Sequence, residues 1–151
     1  MNTADYKRIL QTAIGNEIEA YEFYTSAAGK SSDANLKSIF AELAEEEMKH
    51  KVLLESYLNN EKAQMNFHNT PDYKIAESVK LPKLTANMSF ADGVALAMKK
   101  EEEAMVMYQQ FADASVDTNQ KNAFLQLAKM EQGHKIKLEG LYTNTAYTEV
   151  W

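Results

Sequence analysis

Apolar residues recur along four stretches of the chain at alternating steps of three and four positions. This is the period of an α-helix that buries one face, and a face this narrow is typical of helices packed in a bundle. Each stretch is about 25 residues long, which predicts helices of roughly 37 Å. The seam, meaning the positions that face the bundle interior, consists of Tyr6, Leu10, Ala13, Glu17, Ala20, Tyr24 and Ala27; Leu36, Phe40, Leu43, Glu47, His50, Leu54 and Tyr57; Phe90, Val94, Ala97, Glu101, Ala104, Tyr108 and Phe111; and Phe124, Leu127, Glu131, His134, Leu138 and Leu141.

Residues that break or cap helices separate these stretches. The breaks "GKSSD" and "SVDTN" are short enough to make helices 1 and 2, and helices 3 and 4, antiparallel neighbours. Ser32 or Asp33 is the predicted N-cap of the second helix, and "SFAD" resembles a capping box that opens the third. The long segment between the hairpins contains both prolines, and we interpret it as a crossover with a short helix near residues 73–79.

The predicted architecture is therefore an all-α four-helix bundle that forms a single domain over residues 1–151. Hairpin 1 covers about 3–59, the crossover about 60–88 and hairpin 2 about 89–143. Aligning residues 17–57 with 101–141 without gaps gives 17 identities in 41 positions, more than shared helical composition explains. The two hairpins are thus copies of one another that we expect to face each other across a pseudo-two-fold axis.

Composition excludes several classes of function. The chain has no cysteine, which excludes disulfides, a thiolate nucleophile and cysteine-ligated metal sites. A net charge of −6 does not indicate the positive surface that binds nucleic acid or an anionic membrane. The N-terminus lacks the apolar core of a signal peptide, and no run approaches 18 apolar residues. We therefore expect a cytoplasmic protein with no nucleic-acid or membrane partner.

Six ionisable residues occupy seam positions, where leucine or isoleucine is expected. They are Glu17, Glu47, His50, Glu101, Glu131 and His134. Burying an unpaired carboxylate costs several kcal/mol and four of them repel one another, while no lysine or arginine occupies a nearby seam position. Two divalent cations would balance the four negative charges, and each imidazole would add a neutral nitrogen ligand.

Two of these glutamates precede a histidine by three residues, in "EMKH" and "EQGH". This spacing puts both side chains on one helical face. One Glu from each of two helices, with one E-x-x-H from each of the other two, is the ligand set of a carboxylate-bridged dinuclear site. Glu47 and Glu131 are predicted to bridge both ions, and Glu17 and Glu101 to bind one ion each. A metal-free buried cluster is the competing interpretation, but the repetition of the motif in register with the hairpin favours metal.

Side chains near the six predicted ligands have weaker assignments. Tyr24 and Tyr108 follow Glu17 and Glu101 by two helical turns, so each phenol is placed to hydrogen-bond a ligand carboxylate of the opposite hairpin. Ordinary aromatic packing would explain the same positions. The remaining assignments are solvated glutamates (Glu19, Glu45, Glu46, Glu102 and Glu103), a surface His68, and core methionines (Met98, Met105, Met107 and Met130).

The chain resembles the ferritin-like superfamily and, within it, the rubrerythrin group. The resemblance rests on "NEIEAYEFY" at 16–24, on "KKEEEAMVMY" at 99–108, and on the order of the two E-x-x-H helices. It implies a ferritin-like bundle, the same six metal ligands, two iron ions (Fe²⁺/Fe³⁺), and reactivity with hydrogen peroxide or dioxygen. It also implies a homodimer.

Three departures from the family pattern matter. No rubredoxin domain with its four cysteines is present, so the resemblance implies an external electron donor such as a rubredoxin or a reductase. Ala104 stands where rubrerythrins tend to have an extra carboxylate. The symmetric ligand set around Met48 also looks like bacterioferritin, where a haem site is a hypothesis, but the 17 residues after His134 are too few for the fifth helix of a cage.

The leading hypothesis is a di-iron oxidoreductase that reduces hydrogen peroxide or dioxygen. Three alternatives stay open at this stage. The first is a ferroxidase that stores or transfers iron, and the second is a dimanganese catalase-like enzyme, because carboxylate and imidazole ligands suit manganese as well as iron. The third is a non-enzymatic module in which a metal, including zinc, only holds the helices together.

Overall fold

Four long helices make up the part of the chain that the computed structural model describes, which is residues 3–59 and 88–144 with side chains from residue 7 onward. The helices are α1 (Thr3–Lys30), α2 (Ala34–Asn59), α3 (Phe90–Ala114) and α4 (Thr118–Thr143). The all-α four-helix bundle predicted from the seam pattern is therefore confirmed. The helix predicted near residues 73–79 and the surface position of His68 lie outside the described residues.

Side-chain caps start three of the helices at the predicted breaks. Asp33 Oδ1 accepts a hydrogen bond of 2.8 Å from the backbone N–H of Leu36, which identifies Asp33 rather than Ser32 as the cap. The repeat-equivalent Asp117 accepts from the N–H of Gln120 at the start of α4. Ser89 caps α3 in the same way. These side chains satisfy backbone donors that have no partner within the helix, and so fix where each helix begins.

Two apolar clusters fill the bundle, one toward each end. The first is formed by Ile9, Leu10, Ala13, Leu54, Met107, Tyr108, Phe111, Ala112, Phe124, Leu127 and Ala128. The second is formed by Phe23, Tyr24, Ala27, Leu36, Phe40, Leu43, Ala44, Phe90, Val94, Ala97, Leu138 and Leu141. The start of α1 thus packs with the end of α3, and the start of α4 with the end of α2. The helices run up, down, down and up, the order of a bundle with one long crossover.

A narrow polar layer lies between the two apolar clusters. On every helix the predicted ligands fall between a residue of one cluster and a residue of the other. The packed aliphatic and aromatic side chains on both sides hold this layer away from bulk water. Within residues 3–59 and 88–144, no helix is both long enough and apolar enough to cross a lipid bilayer.

Candidate metal centre

The structure brings all six predicted ligands into the polar layer. Each side chain is at most 3% exposed, so the layer is closed to solvent. The single glutamates come from α1 and α3, and the E-x-x-H pairs come from α2 and α4. In chain order the residues are Glu17, Glu47, His50, Glu101, Glu131 and His134.

The ligand atoms form two overlapping groups of four. Each group has one oxygen or ring nitrogen from each residue, and all atoms of a group lie within 4.8 Å of one another. One group contains Glu17, Glu47, His50 and Glu131, and the other contains Glu47, Glu101, Glu131 and His134. Because Glu47 and Glu131 belong to both groups, the geometry matches a site in which these two carboxylates are shared by two ions.

Both histidines turn the same ring nitrogen toward the carboxylates. His50 Nδ1 lies 2.6 Å from Glu131 Oε1, and His134 Nδ1 lies 2.7 Å from Glu47 Oε1. The two rings are nearly parallel, with an interplanar angle of 13° and centroids 5.9 Å apart. The pseudo-two-fold axis inferred from the repeat therefore relates the two imidazoles.

Several atoms of the cluster have lone pairs that no hydrogen bond within residues 3–59 and 88–144 uses. Although some of them lie close together, their directions are not those of hydrogen bonds, and burying polar atoms without a partner is costly. Oxygen and imidazole lone pairs that converge in this way are donors for a divalent cation, so the residues fit a metal centre. In the part of the chain that the structure describes, the buried atoms without a hydrogen-bond partner are Glu17 Oε2, Glu47 Oε1, His50 Nδ1, His50 Nε2, Glu101 Oε2, Glu131 Oε1 and His134 Nδ1.

Two tyrosines hold the unshared carboxylates from the opposite hairpin. Tyr24 Oη donates a 2.6 Å hydrogen bond to Glu101 Oε1, and Tyr108 Oη donates a 2.5 Å hydrogen bond to Glu17 Oε1. Both contacts follow the prediction made from the seven-residue spacing. Burial, and then the charge of the partner carboxylate, raises the pKa of each phenol well above its ordinary value, so each remains a donor.

The two shared carboxylates resist ionisation in the metal-free protein. Burial raises the pKa of Glu47 and of Glu131 well above the ordinary carboxyl value, and the charge of Glu101 adds to both shifts. Burial opposes ionisation of Glu17 as well, but the neighbouring Glu47, His50 and Tyr108 side chains outweigh it and lower the pKa of Glu17. Ligand carboxylates must be ionised, so uptake of metal would release protons from the shared pair.

A cavity of about 50 Å³ reaches the cluster from between α1 and α3. It touches all four cluster glutamates, and the repeat-equivalent residues Ala20 and Ala104 also line it. Since Ala104 occupies the position where the family resemblance implies an extra carboxylate, a small side chain leaves this space open. The volume suits one or two molecules of the size of water.

Two glutamates that we predicted to be solvated are instead half-buried and paired with side chains of neighbouring helices. Glu46 is 24% exposed and accepts a hydrogen bond from His134 Nε2. Burial tends to lower the pKa of His134. Interactions with Glu101 and then with Glu46 outweigh the effect of burial, so the pKa is raised. Glu19 is 18% exposed and lies 3.1 Å from Lys100 Nζ, beside the cavity. The prediction was wrong because helical period assigns a residue to a face of its own helix, whereas these contacts come from neighbouring helices.

Both the sequence and the fold of the chain are similar to those of known proteins. The model of a family described as rubrerythrin matches residues 8–142. A hypothetical protein from Pyrococcus furiosus is similar over 99% of this chain and 97% of its own, with 29% identity and a TM-score of 0.72. A protein from Thermotoga maritima, provisionally described as a ferritin-like diiron-carboxylate protein, is similar over 92% of this chain and 95% of its own, with 20% identity and a TM-score of 0.68. No curated protein matches. The predicted ferritin-like fold is confirmed.

Proposed function

Since the chain belongs to the rubrerythrin family, we propose that it is a non-haem di-iron oxidoreductase that reduces hydrogen peroxide or dioxygen with electrons from a separate protein. The observation that carries this proposal is the convergence of unpaired carboxylate and imidazole atoms in a layer closed to solvent. A metal-free role gives no reason for four carboxyl groups packed together in the core, where ionising them is costly.

Each ion would be held by two shared carboxylates, one unshared carboxylate and one imidazole. Glu17 and His50 would complete one set, and Glu101 and His134 the other, with Glu47 and Glu131 common to both. The four glutamates would balance the charge of two divalent cations. Membership of the family supports iron as the metal, and the donor atoms also suit manganese and zinc.

The residues around the cluster set the conditions for the reaction. When bound, a reduced pair of iron ions would supply two electrons. With two protons these would convert hydrogen peroxide to two molecules of water, or dioxygen to hydrogen peroxide. The cavity between α1 and α3 admits a substrate of only a few atoms, and the apolar clusters keep bulk water out. Tyr24 and Tyr108 orient the unshared carboxylates through their hydrogen bonds.

Electrons must then return from outside the bundle. Because the sequence has no cysteine, it offers no rubredoxin-type iron site of its own, and we propose a rubredoxin or a reductase as the donor. A homodimer remains part of the proposal, based on the family resemblance.

Iron oxidation for storage or transfer is the second candidate, and the cavity supports it. Glu19 and Glu103 line the same cavity as the cluster glutamates, which gives the entry path an excess of carboxylates that attracts cations. A dimanganese catalase-like enzyme would use the same ligands.

Metal analysis and rapid kinetics separate these candidates. Protein purified after expression in iron-replete medium should contain iron and show the near-ultraviolet absorption of a diferric centre. Bound manganese or zinc without iron in such a preparation would contradict the di-iron proposal. Stopped-flow mixing of the reduced protein should then give faster oxidation with hydrogen peroxide than with dioxygen. Faster oxidation by dioxygen, with release or mineralisation of Fe³⁺, would instead support the ferroxidase.

A further inference from the structure

The two histidines of the centre are equivalent in the sequence repeat but not in their surroundings. Each directs Nδ1 toward the carboxylate cluster. The other ring nitrogens differ, because His134 Nε2 hydrogen-bonds Glu46, whereas His50 Nε2 is buried and has no hydrogen-bond partner among the described residues. The internal symmetry is therefore broken at the edge of the rings that faces away from the cluster.

The repeat explains where the difference originates. The residue of hairpin 2 that is equivalent to Glu46 is Met130. A carboxylate accepts strong hydrogen bonds, whereas a methionine thioether is a weak acceptor. Both positions are half-buried, so the asymmetry lies in the chemistry of the side chain rather than in its accessibility.

The contact with Glu46 settles which nitrogen of His134 holds the proton. An ionised carboxylate only accepts hydrogen bonds, so His134 Nε2 must be the donor. Nδ1 of the neutral ring then keeps its lone pair for a metal, and the carboxylate makes that nitrogen a stronger ligand. Within residues 3–59 and 88–144 no such partner fixes the tautomer of His50, and a metal on its Nδ1 would leave a buried Nε2–H without an acceptor from these residues.

We propose that Glu46 is a positioning residue that makes the two metal positions unequal, so that the position containing His134 fills before the position containing His50. This inference rests on the two-metal centre proposed above. It gives the protein a way to hold one ion firmly while the other exchanges, although the six ligand residues, three from each hairpin, are otherwise arranged symmetrically about the axis.

Zinc binding to the metal-free full-length chain tests the affinity difference. Isothermal titration of the wild type with Zn²⁺ should show two ions bound with dissociation constants about tenfold or more apart. Glu46→Gln should weaken the tighter step by about 10- to 100-fold and leave the weaker step unchanged. The matched control is Glu45→Gln, which removes the same charge one residue away from a side chain that is 70% exposed, and it should change neither step.

The order in which the two metal positions fill provides a second test. A variant that is merely less stable would not change that order. The chain has only three histidines, so ¹⁵N-histidine labelling resolves each ring by NMR. With one equivalent of Zn²⁺, the Nδ1 signal of His134 should shift first in the wild type. In the double variant Glu46→Met/Met130→Glu, which exchanges the two residues between the hairpins, the signal of His50 should shift first.

The outcomes distinguish this inference from the proposal on which it rests. Binding of two Zn²⁺ ions with equal affinity, simultaneous filling at both histidines, or an unchanged order in the exchanged variant would overturn the role of Glu46 and leave the dinuclear centre in place. Failure of the wild type to bind two ions would overturn both.

Discussion

Tyr24 in the first hairpin donates a 2.6 Å hydrogen bond to Glu101 in the second, 77 positions later in the chain. The equivalent residues of the repeat make the same contact, in which Tyr108 donates a hydrogen bond to Glu17. Each hairpin therefore holds a carboxylate of the other, and the interface between the hairpins is also the candidate site. Packing of the bundle and preparation of its ligands depend on the same pair of contacts.

Removing one of these hydroxyl groups should weaken metal binding. Tyr24→Phe leaves Glu101 Oε1 without its donor, and loss of such a supporting hydrogen bond typically costs 10- to 100-fold in metal affinity. Tyr108→Phe should act in the same way through Glu17. Tyr142→Phe, in a side chain that is 44% exposed, is the matched control and should leave the Zn²⁺ dissociation constants unchanged. Equal affinities in all four proteins would show that the tyrosines serve packing alone.

Stability of the metal-free protein should fall as pH rises above the ordinary carboxyl pKa of 4.5. Glu47 and Glu131 have pKa values that burial raises in the folded state, so the folded state binds protons more tightly than the unfolded chain. Their contribution is present at low pH and is lost as pH rises through the folded-state values. His134 adds in the same direction, while the lowered pKa of Glu17 opposes it.

Urea unfolding with a chelator present, between about pH 5 and pH 8, measures this dependence. Bound metal requires ionised carboxylates, so saturation with Zn²⁺ should reverse the trend and make stability rise with pH. A free energy of unfolding that increases with pH in the chelated protein would contradict the assigned protonation of the shared pair.

Two glycines offer a matched test of how closely α1 and α3 approach. A Cβ on Gly93 would lie 2.9 Å from Phe23 Cε1, whereas a Cβ on Gly15 would meet nothing within 4 Å. Gly15→Ala should raise the free energy of unfolding by roughly 0.5–1 kcal/mol through helix propensity. Gly93→Ala gains the same propensity but overpacks the buried Phe23 ring, and should lower the free energy of unfolding by about 1 kcal/mol. Equal stabilisation by both substitutions would show that the packing there is loose.

The sequence was sufficient for the helices and for the candidate ligands because both depend on the period of a single helix. Glu17, Glu47, Glu101 and Glu131 were conspicuous as charges at positions where the period requires apolar residues. The tyrosine contacts followed from spacing together with the repeat. The helices and ligands needed only the position of each residue on its own helix, and the tyrosine contacts needed the repeat in addition.

Glu46 was missed because its contact depends on how α2 meets α4. It precedes Glu47 by one residue, which rotates it by about 100° from the seam. His134 reaches it only because the two E-x-x-H helices are neighbours, and the same holds for Lys100 and Glu19 across α1 and α3. The sequence nevertheless contained a signal, because the repeat aligns Glu46 with Met130. Such a mismatch beside a pair of histidines that are equivalent in the repeat marks where the two halves differ.

The central claim is that Glu47 and Glu131 are shared by two metal ions, and metal stoichiometry tests it most directly. Metal-loaded wild type, Glu47→Ala and Glu131→Ala should be compared by elemental analysis and native mass spectrometry, with Glu45→Ala as the exposed control. We predict two ions per chain in the wild type and in the control, and loss of both ions in either variant of a shared carboxylate, since each ion loses a ligand. Two ions retained in Glu47→Ala or Glu131→Ala would contradict the account.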